Sequence, residues 1–209
     1  MKLTKVENTI DNMLTKYTRG EYYETLMQAK KEYVALTGRL TEEDEEYESR
    51  MYCFNNWYLF QRRDAEGSSM STDYLHNHPE LEEKVQDVIK NINHSVFEFL
   101  KVNLKKEIVL YDILHDKKIT LGAEQTSINL IVGDIFTGRS VVYDGTHFLL
   151  RGVCLLPTGI VSGLKKKCKA LRKLNNPKDE IAFLLQLESL KTKYLRYSHI
   201  DPNEIFIFT

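Results

Sequence analysis

Residues 131–157 read IVGDIFTGRSVVYDGTHFLLRGVCLLP, and this stretch decides the fold. Large apolar and β-branched side chains fill it, broken by two small turns. Asp144-Gly145 is a hairpin signal, because both residues tolerate the left-handed backbone that a tight turn requires. Gly133-Asp134 reads as a turn for the same reason. Arg139 lies inside the apolar run and needs a partner there, since an unpaired buried charge is costly.

Working outward, the same period continues upstream. SVFEFLKVNL from Ser95 alternates imperfectly, and KEIVLYDIL and KKITLGAE are short strand-like runs joined by the polar turn HDKK. A further run opens at Ile128. The count is about five strands between Ser95 and Leu156, as expected for a small antiparallel barrel of SH3-like or OB-like form, or a strongly curved sheet.

On either side the period becomes helical. Leu3, Val6, Ile10, Met13, Leu14 and Tyr17 form one stripe; Tyr22, Leu26, Ala29, Tyr33 and Leu36 form a second, stopped by Gly38. Thr41 reads as the N-cap of a third helix carrying Tyr47, Met51, Phe54, Trp57 and Tyr58. Arg62 to Asp73 is small and polar and reads as a loop. Pro79 suits the first turn of a helix whose apolar face is Leu81, Val85, Val88, Ile89 and Ile92. After Pro157, Leu164, Cys168, Leu171 and Leu174 form one face of a basic helix, and Ile181 to Leu190 form another helix. The tail HIDPNEIFIF suits a closing edge strand. The predicted fold is α+β, with a helical region at 1–94, a small β-barrel-like module at 95–157 and C-terminal helices at 158–209 that rest on the remainder.

Bulk composition narrows the function. The chain has 209 residues and a formal net charge of −1, which excludes a global basic field for nucleic acid. Cys53, Cys154 and Cys168 are too scattered for a disulfide framework or a zinc knuckle, and read as reduced thiols of a cytoplasmic protein. The start MKLTKVENTIDNML lacks the apolar core of a signal peptide. No apolar run approaches the roughly 20 residues that span a bilayer, so membrane insertion is not expected.

The polar groups have bland readings and sharper ones. Asp112, Asp134, Arg139 and Arg151 could form an anion-binding or acid–base cluster, but turn chemistry and cross-strand pairing with neighbouring carboxylates explain them more simply. TGIVSGLKKK, residues 158–167, follows a strand and precedes a helix, yet lacks the glycine spacing of a phosphate loop. LKKKCKALRK offers Lys165, Lys166 and Lys169 to an acidic surface, or to the acidic run TEEDEEYE of the same chain. His76 and His78, with Asp73 and Glu80, meet no metal-ligand spacing. No metal or cofactor is expected.

Several segments taken together resemble an uncharacterised family of bacterial proteins. They are Phe54 to Phe60, Tyr74-Leu75, Ser95 to Val102, Val109 to Leu114, Val132 to Arg139 and Phe148 to Gly152, within a span from about Met51 to Lys169. The resemblance implies that the β segment is a recurrent module and brings no activity with it.

The function expected is a non-catalytic interaction or regulatory module with another protein as partner. Arg139, Arg151, Asp134, Tyr143, Lys165, Lys166 and Lys169 are its candidate binding residues. The alternative is nucleic acid held by the basic helix, with Tyr111, Phe136, Tyr143 and Phe148 as a stacking platform. A second alternative is an enzyme of unrecognised type.

Overall fold

A computed structural model describes residues 2–125 and 129–208. The run expected from Ile128 thus begins outside the described residues. Five helices come first: α1 (Lys2–Tyr17), α2 (Tyr23–Thr37), α3 (Tyr47–Phe60), α4 (Met70–Asn77) and α5 (Glu83–Lys90). Six strands follow: β1 (Asn93–Val102), β2 (Ile108–Asp112), β3 (Lys117–Thr120), β4 (Ile135–Tyr143), β5 (Thr146–Leu149) and β6 (Cys154–Leu156). The helices α6 (Val161–Leu174), α7 (Pro177–Arg196) and α8 (Pro202–Ile205) complete the order. The class is α+β, with helices at both ends of an antiparallel sheet. No helix among the described residues is long and apolar enough to cross a membrane.

The strand order is β3-β2-β1-β4-β5, and β6 pairs the other half of the β4 edge used by β5. Three features curl this sheet into a half-barrel. The β1–β2 register slips between Phe99 and Lys101, and such bulges bend and twist a strand. The Asp144-Gly145 hairpin turns tightly, with φ of 54° and 74°. The end of β3 then reaches β5, where Leu121 bridges His147 and the Gly122 amide donates to the His147 carbonyl at 2.9 Å.

Alternation along the strands builds two cores. Phe97, Phe99, Ile108, Leu110, Ile119, Leu121, Phe136 and Leu149 fill the concave face. Val96, Ile135, Val141 and Tyr143 point the other way and join the buried side chains of the helices. On β4 the helix-facing set is 135, 137, 139, 141 and 143 by the period of two. Arg139 therefore stands among core residues because of its place in the strand, and it is 1% exposed.

Four local expectations differ from the structure. Residues 62–73 hold the start of α4, because Ser69 accepts from the Thr72 amide at 3.2 Å; its small polar residues supply a cap. Thr41 closes a turn on Asp44 instead of capping a helix, and α3 begins at Tyr47. Pro79 lies in the turn before α5. The tail forms the short α8, capped by Asp201, and no strand. The acidic run also finds a different partner: Glu46 pairs with Lys191 of α7 at 2.7 Å.

Candidate functional site

A cavity of about 380 Å³ opens where the start of β1 and the middle of β4 meet α4, α5 and the start of α7. Arg139 and His94 are cross-strand partners at its floor. Gln61, which ends α3, links them. Arg139 Nη2 donates to Gln61 Oε1 at 2.5 Å, and Gln61 Nε2 lies 2.8 Å from His94 Nδ1. Arginine only donates, so the amide oxygen must face it and the amide NH₂ must face the imidazole. His94 Nδ1 is then an acceptor, and Nε2 carries the ring proton.

That assignment leaves three donors. Arg139 Nε, Arg139 Nη1 and His94 Nε2 are buried and have no hydrogen-bond partner among the described residues. Burial, and the neighbouring Arg139 charge, hold the His94 pKa well below its ordinary value, so the imidazole is neutral. Burial also lowers the Arg139 pKa, with nearby groups including Glu188 opposing the shift. Its guanidinium nevertheless stays charged at neutral pH.

The walls mix two helix N-termini with the Glu180 carboxylate and with apolar side chains such as Leu75, Ile89 and Leu184. Ser69, Ser71 and Thr72 bring the N-terminus of α4 to the cavity, and Pro177 and Glu180 bring that of α7. Helix N-termini present partial positive charge and unpaired amides. Arg63 and Lys90 also line it.

His115, held by Asp112, also lines the cavity, beside Glu180. His115 donates its backbone amide to Asp112 Oδ1 at 2.9 Å, and its Nδ1 lies 3.0 Å from Oδ2. Asn93 Nδ2 donates to the same carboxylate at 2.9 Å, and Ser95 Oγ donates to it as well. Burial works to raise the Asp112 pKa, but the bonds from His115, Ser95 and Asn93 outweigh it and hold the carboxyl below its usual value. The Asp112 bond in turn raises the His115 pKa, against partial desolvation and Lys117. His115 Nε2 lies 3.7 Å from Glu180 Oε2. Arg172 of α6 fixes this turn by donating to the carbonyls of Ile113 and Leu114 at 2.6 and 3.1 Å.

The residues singled out in the sequence separate. Only Arg139 reaches this cavity, with Asp112 behind His115. Arg139 meets an amide instead of the cross-strand carboxylate expected for it. Arg151 lies elsewhere, over the Tyr52 ring and 3.7 Å from Glu7 of α1. Asp134 closes its own turn by accepting from the Ile131 amide at 2.8 Å. Tyr143 is buried, with its hydroxyl 3.2 Å from Glu82. Lys165 pairs with Glu98 at 2.8 Å, while Lys166 and Lys169 are exposed on α6. Phe136, Tyr143 and Phe148 are core side chains, so only Tyr111 of the expected stacking platform is partly exposed. His94, Gln61 and His115 were missed. The only signal for His94 was its position on the same strand face as Val96, at the edge of the alternating run.

No curated protein and no solved structure matches the chain. The model of a family of unknown function, DUF7986, matches residues 2–183. That match covers most of the chain, which thus belongs to the DUF7986 family.

Proposed function

We propose that this protein is a non-catalytic regulatory module that binds a small oxyanion, a phosphate or carboxylate group, on the cavity floor. The carrying observation is the set of three buried donors of Arg139 and His94 with no acceptor among the described residues. Buried donors of this kind cost roughly 1–3 kcal/mol each when unmatched. An oxyanion supplies acceptors and neutralises the guanidinium at once. The helix N-termini, Arg63 and Lys90 add to the attraction. His115 supports binding over catalysis, because Asp112 and Glu180 lie against its two ring nitrogens and raise its pKa, favouring the protonated form. A protein partner would read occupancy from outside, through α4 and α5, the short helices that line the cavity. Nucleic acid is a weaker reading, since three of its four proposed stacking rings are buried.

Calorimetric titration with inorganic phosphate and with acetate tests this. Saturable one-to-one binding is expected, weakened about 10-fold or more in Arg139→Gln, the loss of one charge-assisted contact. Wild-type protein that binds neither anion refutes the reading. So does Arg139→Gln that is folded by circular dichroism and binds as tightly as wild type.

A further inference from the structure

A second hollow adjoins the cavity. It has a volume of about 640 Å³ and runs along α7 to the end of α2. Gln61, Arg63, Pro177 and Ile181 line both hollows, so the two are immediate neighbours. Their chemistry differs. The first mixes donors and hydroxyls with the Glu180 carboxylate and with apolar side chains such as Leu75, Ile89 and Ile92. The second is lined largely by the carbon of Leu36, Ile181, Ala182 and Leu185. Leu36 is 47% exposed, a large apolar side chain left at the rim.

We propose that the ligand is an amphiphilic anion: an oxyanion head on Arg139 and His94, carrying an unbranched apolar tail that lies in the α2–α7 groove. This deepens the anion reading and rests on it. A head alone would satisfy the donors but leave the groove wet. A tail alone would have no anchor in a shallow groove. A molecule joining both covers Leu36 and Ile181 while its charge is held beside Gln61. The volumes of the two hollows fall within the range of small-ligand sites. The occupant is a soluble single-chain molecule, since the floor donors lie out of reach of a flat membrane surface.

The test is a calorimetric titration of wild-type protein with straight-chain carboxylates from acetate to octanoate, and with the matching alkyl phosphates, all below their micelle concentrations. Affinity is expected to rise roughly threefold to fourfold per methylene over the first several carbons, as burial of CH₂ requires. The steeper of the two series identifies the head. In Ala182→Trp, which fills the groove, the dependence on chain length is expected to flatten, with a melting curve confirming the fold. Acetate and phosphate bound with no gain from longer chains overturns the amphiphile and leaves the anion reading standing. A chain-length dependence unchanged in folded Ala182→Trp places the tail elsewhere and overturns the groove. No binding by any member of either series overturns both.

Discussion

His115 ties the stability of the fold, and the binding proposed for the cavity, to pH. Its proton is shared with Asp112 and faces Glu180, while Lys117 opposes it. A histidine whose folded pKa is raised stabilises the fold fully below its unfolded value, and that contribution is lost as pH rises through the folded value. The ordinary value is 6.5, so the loss falls on the alkaline side of it. Asp112 behaves inversely: its folded pKa is depressed below 3.8, so its contribution is present above that value and fades as pH falls through the folded one. Urea melts at pH 6 and pH 9 should show wild type losing stability between them. The loss should shrink in His115→Asn, which removes the titrating group. Phosphate affinity should decline over the same interval in wild type, because a cation leaves the cavity wall. A wild-type midpoint that does not fall, or an equal fall in the variant, would refute this role for His115.

At the scale of the element, two glycines with positive φ separate strain from contact. Gly145 has φ of 74° and open space where a Cβ would stand. Gly152 has φ of 91°, and a Cβ there would lie 2.8 Å from the backbone nitrogen of Cys53 and the backbone carbon of Tyr52. The first substitution costs only the left-handed backbone, about 1 kcal/mol. The second also forces β6 away from α3, since neither backbone can yield cheaply. Gly152→Ala should therefore destabilise the chain by at least about 2 kcal/mol more than Gly145→Ala, as overpacking of a tight contact implies. Equal urea midpoints for the two variants would show that this strand–helix approach has slack.

Across the whole molecule, a buried ionic cluster joins the sheet to the helices. Arg50 of α3 donates from Nη1 to Glu188 of α7 at 3.0 Å, and from Nη2 to the Glu188 carbonyl at 3.1 Å and Thr192 at 3.2 Å. Tyr33 of α2 donates to the same carboxylate, and Cys154 of β6 lies 3.8 Å from the guanidinium. Arg50 is 4% exposed and Glu188 1%. Removing one partner strands the other charge, so Glu188→Ala should cost roughly 3–5 kcal/mol, whereas replacing both by apolar side chains is often close to neutral. The double variant Arg50→Leu, Glu188→Met should thus recover most of the loss in a denaturant melt. A double variant no more stable than Glu188→Ala would mean that the cluster orders the helices instead of only satisfying itself.

Much of this was written locally in the chain. The Asp144-Gly145 hairpin, the alternation on both sides of it and the helical stripes depend on each residue's own backbone preference and on periods of two and of about 3.6, which neighbours in sequence suffice to set. They determined an antiparallel, curved sheet between helices and showed that Arg139 needed a partner. The partner itself was not legible. Gln61 is 78 residues from Arg139, and His94 faces it only because β1 sits beside β4. Strand order and helix docking are set by burying whole faces against one another, a sum over many distant side chains that no short window contains. The same holds for the last residues of the expected loop, 70–73, which open α4 and whose cap became visible only once Ser69 met the Thr72 amide. The sequence by itself determined the strands, the helical stripes and one buried polar group, Arg139, in need of an answer. Only the tertiary structure decided which of them meet, and left three donors at one floor without an acceptor among the described residues.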